Sequence, residues 1–264
     1  MKQNILRQLL KEGKPSLCTN VVSPWPAIVE IIGRSGVYDY IEYSGEGSPF
    51  SLEQLDNFGR TIELFPEMSS MIKVDEHNRG FIATRAVDAG IQNVNFAGCT
   101  SAEEVRECIR MVKPSTPEIG GTHGFSQRRA LDYGLGQDLN ELVKAMNETV
   151  ICIAIENKAA VDHVEEMLSV PGVDMIYFGP QDYSTSIGKP GKREDPKVIK
   201  ARDKVFATAV KKGIAIKQII GKPDQMKQFM DMGVRHFSYG NDLRILDFWY
   251  RGQGAEFRDL MGKI

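Results

Sequence analysis

CIAIENKAAVDHVEEMLSVPGVDMIYFGPQDYSTSIGKPG, residues 152–191, reads as strand, helix, strand, with an acidic residue just past the end of each strand. Glu156 closes the apolar run at 150–155, and Asp182 sits in the Gly-Pro-Gln-Asp turn that closes the run at 175–178. Short apolar runs bounded by turn residues and separated by a helical pattern read as buried parallel strands of a βαβ unit. Parallel neighbours end at the same edge of a sheet, so the two carboxylates converge there. Two carboxylates on one open edge suit a hard divalent cation. Each also has a plain structural use: Glu156 as a cap for the following helix, Asp182 as a brace for the Gly-Pro turn.

The alternation continues on both sides of this stretch. Ile5, Leu6, Leu9 and Leu10 give an amphipathic helix over 3–12 that stops at Gly13. Strands are expected at 16–22, 38–43, 70–74 and 93–96 upstream, and at 214–220 and 235–240 downstream. Helices are expected at 24–34, with Ser23 as N-cap and Pro24 in its first turn, then at 51–64 and 78–89. The Ser101-Ala-Glu-Glu capping pattern opens a helix to about residue 112, and others follow at 138–147, 158–168, 196–212 and 222–232, with a helical tail over 242–264. Two stretches, 113–137 and 179–195, read as long loops, and the first, rich in Pro and Gly, as a functional loop or lid. Strands alternating with helices in this number predict a (β/α)8 TIM barrel occupying 1–264 as one domain, closed by the N-terminal helix. A doubly wound open sheet is the alternative, but the early GxGxxG of its dinucleotide-binding form is absent.

Composition narrows the functional classes. With 264 residues, 42% apolar and 26% charged, the chain is an ordinary globular one, and its net charge of −2 leaves no footprint for nucleic acid. No apolar run reaches the length of a membrane span, and the polar N-terminus lacks a signal-peptide core, so a cytoplasmic protein without membrane partners is expected. The four cysteines, Cys18, Cys99, Cys108 and Cys152, show no CxxC or disulfide-framework spacing and read as buried thiols. The four histidines lack zinc-protease spacing.

Loops that follow the strands form the active face of a barrel. That rule gathers Glu46 after the second strand, Lys73 at the end of the third, His123 in the long loop after the fourth, then Glu156 and Asp182. The segment IEN…SVPGVDMIYFGPQDYSTSIGKPG resembles the class II, metal-dependent 2-oxo-acid aldolases of the HpcH/HpaI family. SPWPAIVEIIGRSGVYDYIEYSGE, KVDEHNRGFIATRAVDAG and GGTHGFSQRRALDYG are looser matches, to the family's opening, third unit and mobile loop. The resemblance implies a (β/α)8 barrel whose C-terminal helix packs on a partner subunit, and a homo-oligomer, often a hexamer. Glu156 and Asp182 would then ligate Mg²⁺, Mn²⁺ or Co²⁺. Gly179, Pro180, Gln181 and Asp182 would bind the 2-oxo acid, with the N–H groups of Gln181 and Asp182 on its carboxylate. The implied reaction is aldol cleavage or formation of a 4-hydroxy-2-oxo acid through a pyruvate-type enolate.

The chain departs from the family at several positions. Lys73 stands where the family has an arginine, keeping the charge but not the planar fork; it also reads as a solvated strand-end lysine or as a Schiff-base candidate. Glu46 stands where the catalytic histidine is expected, and Asp88 matches that histidine's supporting aspartate, so the dyad does not carry over. His123 is the replacement candidate for proton transfer, or else a surface histidine. Ala154 occupies a position where relatives place a substrate-contacting Gln. Arg128 and Arg129 are open to two readings, a clamp on a distal substrate carboxylate or interface ion pairs. These departures keep three further readings in play: a 2-oxo-acid decarboxylase, an acyl-CoA lyase, and a non-catalytic oxo-acid-binding barrel.

Overall fold

The computed structural model describes residues 2–125, 128–136 and 138–263. Eight parallel strands, β1 (Ser16–Val21), β2 (Tyr40–Ser44), β3 (Ser69–Val74), β4 (Asn93–Phe96), β5 (Val150–Ile155), β6 (Met175–Phe178), β7 (Ala215–Ile220) and β8 (His236–Asn241), pair in chain order and close into a barrel. Around them run α2 (Pro26–Ser35), α3 (Leu52–Glu63), α4 (Arg79–Asp88), α5 (Ala102–Val112), α6 (Leu139–Asn147), α7 (Lys158–Asp162), α8 (Val164–Met167), α9 (Pro180–Ser186), α10 (Pro196–Lys212) and α11 (Met226–Asp231), with α1 (Ile5–Lys11) before the first strand and α12 (Asp242–Met261) after the last. The expected (β/α)8 barrel is the observed one, and the open sheet is excluded by the β1–β8 pairing, Ser16 opposite His236.

Local chemistry sets the helix starts. Ser51 Oγ accepts from the Gln54 N–H at 3.2 Å while Gln54 Oε1 accepts from the Ser51 N–H at 2.7 Å, a reciprocal cap on α3. Ser101 caps α5 as expected. Ser23 does not cap α2, which begins two residues after Pro24. Instead the N–H groups of Val22 and Ser23 donate to the Asp242 carboxylate at 2.9 Å each, tying the end of β1 to the start of α12.

Besides a small cluster of Leu131, Leu142 and Met146, the buried apolar residues form two bodies on either side of the sheet. Outward strand residues such as Ile41, Ile72, Val94, Ile153 and Ile176 pack under the helices. Inside the barrel, Leu6 of α1 joins Tyr40, Met71, Val150, Cys152 and Met175. The N-terminal helix is therefore the expected plug at the end where the strands begin. It is pinned there by Arg7, which donates to both Asp174 oxygens at 2.5 and 2.7 Å.

His236 lies at the same end, buried, with Nδ1 2.8 Å from Ser16 Oγ. Burial pushes its pKa down to about 4. The unfolded chain titrates near the ordinary histidine value of about 6.5. Between those values the unfolded state binds the extra proton, so the contribution is fully present above the unfolded value and is lost as pH falls. Unfolding free energy is expected to drop by about 3 kcal/mol from this group between roughly pH 6.5 and 4. Urea melts across that range check it: His236→Asn removes this part of the slope, and an unchanged slope refutes the assignment.

Two loop expectations change. Residues 179–195 are not all loop, since Pro180–Ser186 is helical with Pro180 in the first turn, where its missing N–H costs nothing. In the run 113–137, the residues around Lys113 and Thr122 do not cover the mouth. The run follows α5, which has already carried the chain back to the strand-start end. There Thr122 N–H bonds Arg110 O at 2.7 Å and Lys113 Nζ bonds Thr149 O at 2.8 Å, one residue before β5.

Candidate active site

The ends of β2, β3, β5 and β6 bring four of the expected side chains to one rim. Ser44 pairs with Lys73 across β2–β3, and Ile155 with Phe178 across β5–β6, so Glu46, Lys73, Glu156 and Asp182 emerge at comparable height. Gly45 lets the β2 loop turn inward: a Cβ there would stand 2.9 Å from the Lys73 carbonyl oxygen. The turn delivers Glu46 Oε2 to 2.5 Å from Lys73 Nζ, and the same ammonium lies 2.9 Å from Glu156 Oε2. Lys73 is thus no solvated strand-end lysine; its side chain is 14% exposed and bridges two carboxylates.

Electrostatics follow from that bridge. Burial works against the Lys73 charge, but Glu156 and Glu46 outweigh it and hold the ammonium above the ordinary lysine range. A charged amine is no nucleophile, which weighs against the Schiff-base reading. Burial raises the Glu156 pKa, with Glu46 and Asp182 adding to the rise and Lys73 opposing it. Asp182 is therefore close enough for its charge to be felt at Glu156. Gly179 closes the cradle between them: a Cβ on it would lie 2.7 Å from Glu156 Cβ and 3.0 Å from Oε2. Next along the chain, Gln181 and Asp182 stand in the first turn of α9, where backbone N–H groups have no intrahelical acceptor and no side chain caps them.

Among the described residues no cluster of three or more His, Cys, Asp or Glu side chains is arranged to hold a metal ion. The Glu156 and Asp182 carboxylates offer oxygen donors only. That fits Mg²⁺ or Mn²⁺, which take one or two carboxylates and fill the remaining positions with water and substrate.

His123 is not at this rim, and the expectation that it serves there is corrected. Its N–H bonds Lys113 O at 3.0 Å, Nδ1 lies 3.2 Å from Met111 O and Nε2 3.0 Å from Asp88 Oδ1. Asp88 ends α4, and Met111 and Lys113 lie at the end of α5. Helices of a barrel run opposite to its strands, so all three mark the far end. Burial, with the nearby Arg128 charge, lowers the His123 pKa to about 4 and keeps the ring neutral. Asp88 is likewise remote from Glu46. Arg128 pairs with Asp88 at 2.5 Å and Arg129 with Glu63 at 2.5 Å, so within this chain neither faces a substrate at the mouth.

Beneath the rim lies a polar layer the sequence reading missed. Glu42 and Lys217 form an ion pair across the barrel interior, 2% and 1% exposed, and Asn95 Nδ2 donates to Glu42 Oε1 at 2.8 Å. Barrel interiors are ordinarily filled by branched apolar residues. Lys217 and Asn95 thus hold the buried Glu42 carboxylate, which feels the Lys217 charge most strongly and that of Lys73 more weakly. Tyr177, the register partner of Ala154, has Lys217 Nζ 5.3 Å and Lys73 Nζ 5.9 Å from its ring centroid and forms the floor between layer and site. The signal was present: in YIEYS and AIKQII the charged residue holds an inward position of a two-residue period.

A family model described as HpcH/HpaI aldolase/citrate lyase matches residues 26–246. A hydroxypyruvate/pyruvate aldolase of Paraburkholderia phytofirmans is 26% identical over 242 residues, covering 91% of this chain and 92% of that protein. A 4-hydroxy-2-oxo-heptane-1,7-dioate aldolase of Escherichia coli is 24% identical over 246 residues, covering 92% and 91%. The crystal structure of an aldolase/citrate lyase protein from Burkholderia cenocepacia superposes with a TM-score of 0.87 at 23% identity, covering 97% of this chain and 100% of that one.

Proposed function

Because the chain belongs to the HpcH/HpaI aldolase/citrate lyase family, we propose that it is a carbon–carbon lyase that cleaves 4-hydroxy-2-oxo acids to a 2-oxo acid and an aldehyde, and runs the aldol addition in reverse. The observation that carries this reading is the Lys73 ammonium, 2.5 Å from Glu46 and 2.9 Å from Glu156. It links a candidate base to a candidate metal ligand at one mouth.

Glu156 and Asp182 would hold Mg²⁺, Mn²⁺ or Co²⁺. Bound there, the ion supplies a Lewis acid for the substrate's 2-oxo group. The N–H groups of Gln181 and Asp182 hold the substrate carboxylate, with Gly179 and Pro180 shaping the turn. Lys73 offers a fixed positive charge to the oxygen that gains negative charge as the C3–C4 bond breaks. As Lys73 turns toward that oxygen it releases Glu46, which takes the proton of the 4-hydroxyl as the C3–C4 bond breaks, frees the aldehyde, and returns the proton to C3 of the enolate to give the 2-oxo acid. Metal-stripped protein is assayed for pyruvate release from a series of 4-hydroxy-2-oxo acids, with and without Mg²⁺, Mn²⁺ or Co²⁺. Release is expected only with the cation, abolished by EDTA and restored by excess metal. Release that survives chelation overturns the metal assignment, and no release with any cation overturns the lyase reading.

The same reading makes the protein a homo-oligomer, a hexamer, built on α12, in a reducing cytoplasm. No helix among the described residues is long and apolar enough to cross a membrane. Over the 20 residues of α12 only Asp242 is buried, while Phe248, Trp249 and Tyr250 stand 82%, 59% and 64% exposed. An apolar face of this kind suits a second copy of the chain. Light scattering on the full chain is expected to give an oligomeric mass, and Phe248→Ser with Trp249→Ser, or ending the chain at Asp242, a smaller one. A monomeric full chain refutes this.

A further inference from the structure

At the strand-end side of the barrel, but between α4 and α5 and outside the proposed reaction, three side chains form a cluster: Cys99, Cys108 and Arg79. Cys99 lies in the loop between β4 and α5, and Cys108 lies on the buried face of α5. The loop folds back on its helix because Glu104 Oε2 accepts from Thr100 N–H at 2.6 Å and from its hydroxyl at 3.1 Å. That turn sets the two sulfurs 3.6 Å apart. Arg79, the first residue of α4, points Nη1 at both, 3.1 Å from Cys99 Sγ and 3.5 Å from Cys108 Sγ.

A guanidinium gains little from two neutral thiols and much from a thiolate. The hydrogen bond between the two sulfurs and the facing Arg79 cation together favour one thiolate in this pair against the effect of burial. The other two cysteines provide the contrast. Cys18 and Cys152 sit inside the barrel, where burial above all pushes each thiol up to about 12. A disulfide needs the sulfurs about 2.05 Å apart, so each has to move by less than ~1 Å.

We propose that Cys99 and Cys108 are a dithiol that hydroperoxides oxidise to an intrachain disulfide. The thiolate of the pair, held beside Arg79, attacks one peroxide oxygen, the O–O bond breaks, and the other oxygen leaves as hydroxide and is protonated to water. The second thiol gives up its proton and attacks the sulfenic acid so formed, making the S–S bond and expelling a second hydroxide that leaves as water. Two thiols and one hydrogen peroxide thus give one disulfide and two waters, two electrons passing from sulfur to oxygen.

The test is hydrogen peroxide treatment of the intact native protein, followed by thiol counting and peptide mass analysis. Two of the four thiols are expected to disappear, with one cross-linked pair of peptides joining residues 99 and 108 and Cys18 and Cys152 left reduced. Arg79→Gln is expected to slow the reaction about tenfold, since the thiolate fraction governs the rate. Cys18→Ser is expected to leave it unchanged. Four surviving thiols under excess peroxide, or oxidation directed to Cys18 or Cys152, overturns the proposal. An Arg79→Gln protein with native circular dichroism and an unchanged rate overturns the role given to the guanidinium.

Discussion

Glu156→Gln and Asp182→Asn are each expected to abolish turnover while leaving the fold intact. On the proposed function, removing one of the two carboxylates that would hold the metal forfeits the Lewis acid and the charge stabilisation it brings, a loss of about 1,000-fold or more in kcat/KM, or ~4 kcal/mol. Stability should not follow activity down. Glu156 is buried, and Glu46 and Asp182 both oppose its ionisation. Neutralising it relieves that crowding, while Lys73 keeps its partner Glu46 at 2.5 Å. Steady-state kinetics and thermal melts on the same samples separate the two effects. A variant that loses activity only in proportion to its unfolding counts against a ligand role, and one that keeps wild-type turnover excludes it.

Lys73→Met is expected to move activity and metal affinity in opposite directions. Turnover falls by about 100-fold or more because the cation facing the developing oxyanion is gone. Mn²⁺ binding tightens by about tenfold, because the ammonium and the metal are like charges that share one carboxylate. That carboxylate would be Glu156, whose Oε2 lies 2.9 Å from Lys73 Nζ. Without either cation, Glu46, Glu156 and Asp182 face one another uncompensated, so the metal-free variant should melt lower and recover on adding Mn²⁺. Lys73→Arg preserves the charge and restores part of the activity. Calorimetric titration with Mn²⁺ decides the matter: an unchanged or weaker dissociation constant in Lys73→Met refutes the competition.

The barrel and its rim were legible in the chain because both depend on short-range pattern. Short runs such as VICIAI and MIYF, bounded by turn residues and alternating with helical patterns, read as buried parallel strands, and whatever follows them directly stands at the mouth. That logic reached Glu46, Lys73, Glu156 and Asp182. It failed for His123 because the loop carrying it follows α5 rather than β4, and each helix returns the chain to the far end. The helix at 102–112 was itself visible in the sequence, so the error lay in assigning a whole connection to one rim. Ser23 misled for another reason. Its backbone is recruited by Asp242, a partner 219 residues away that no local pattern discloses. The 3.6 Å approach of Cys99 and Cys108 is similarly hidden, since it depends on how the loop after β4 folds onto α5.

The ion pair of Glu42 and Lys217 constrains how this barrel can drift. Replacing either residue alone strands a charge in the interior, a loss of about 3–5 kcal/mol, which is a large share of what a domain has to spare. Replacing both by apolar residues of similar volume is neutral or stabilising by about 1–4 kcal/mol. Single variants Glu42→Leu and Lys217→Met should therefore express poorly, and the double variant should rescue them in a denaturation cycle. The two positions, 175 residues apart in the chain, can be lost together but not in turn. A lineage carrying this pair is held to it by a valley on both sides, whatever the chemistry at the mouth above comes to be.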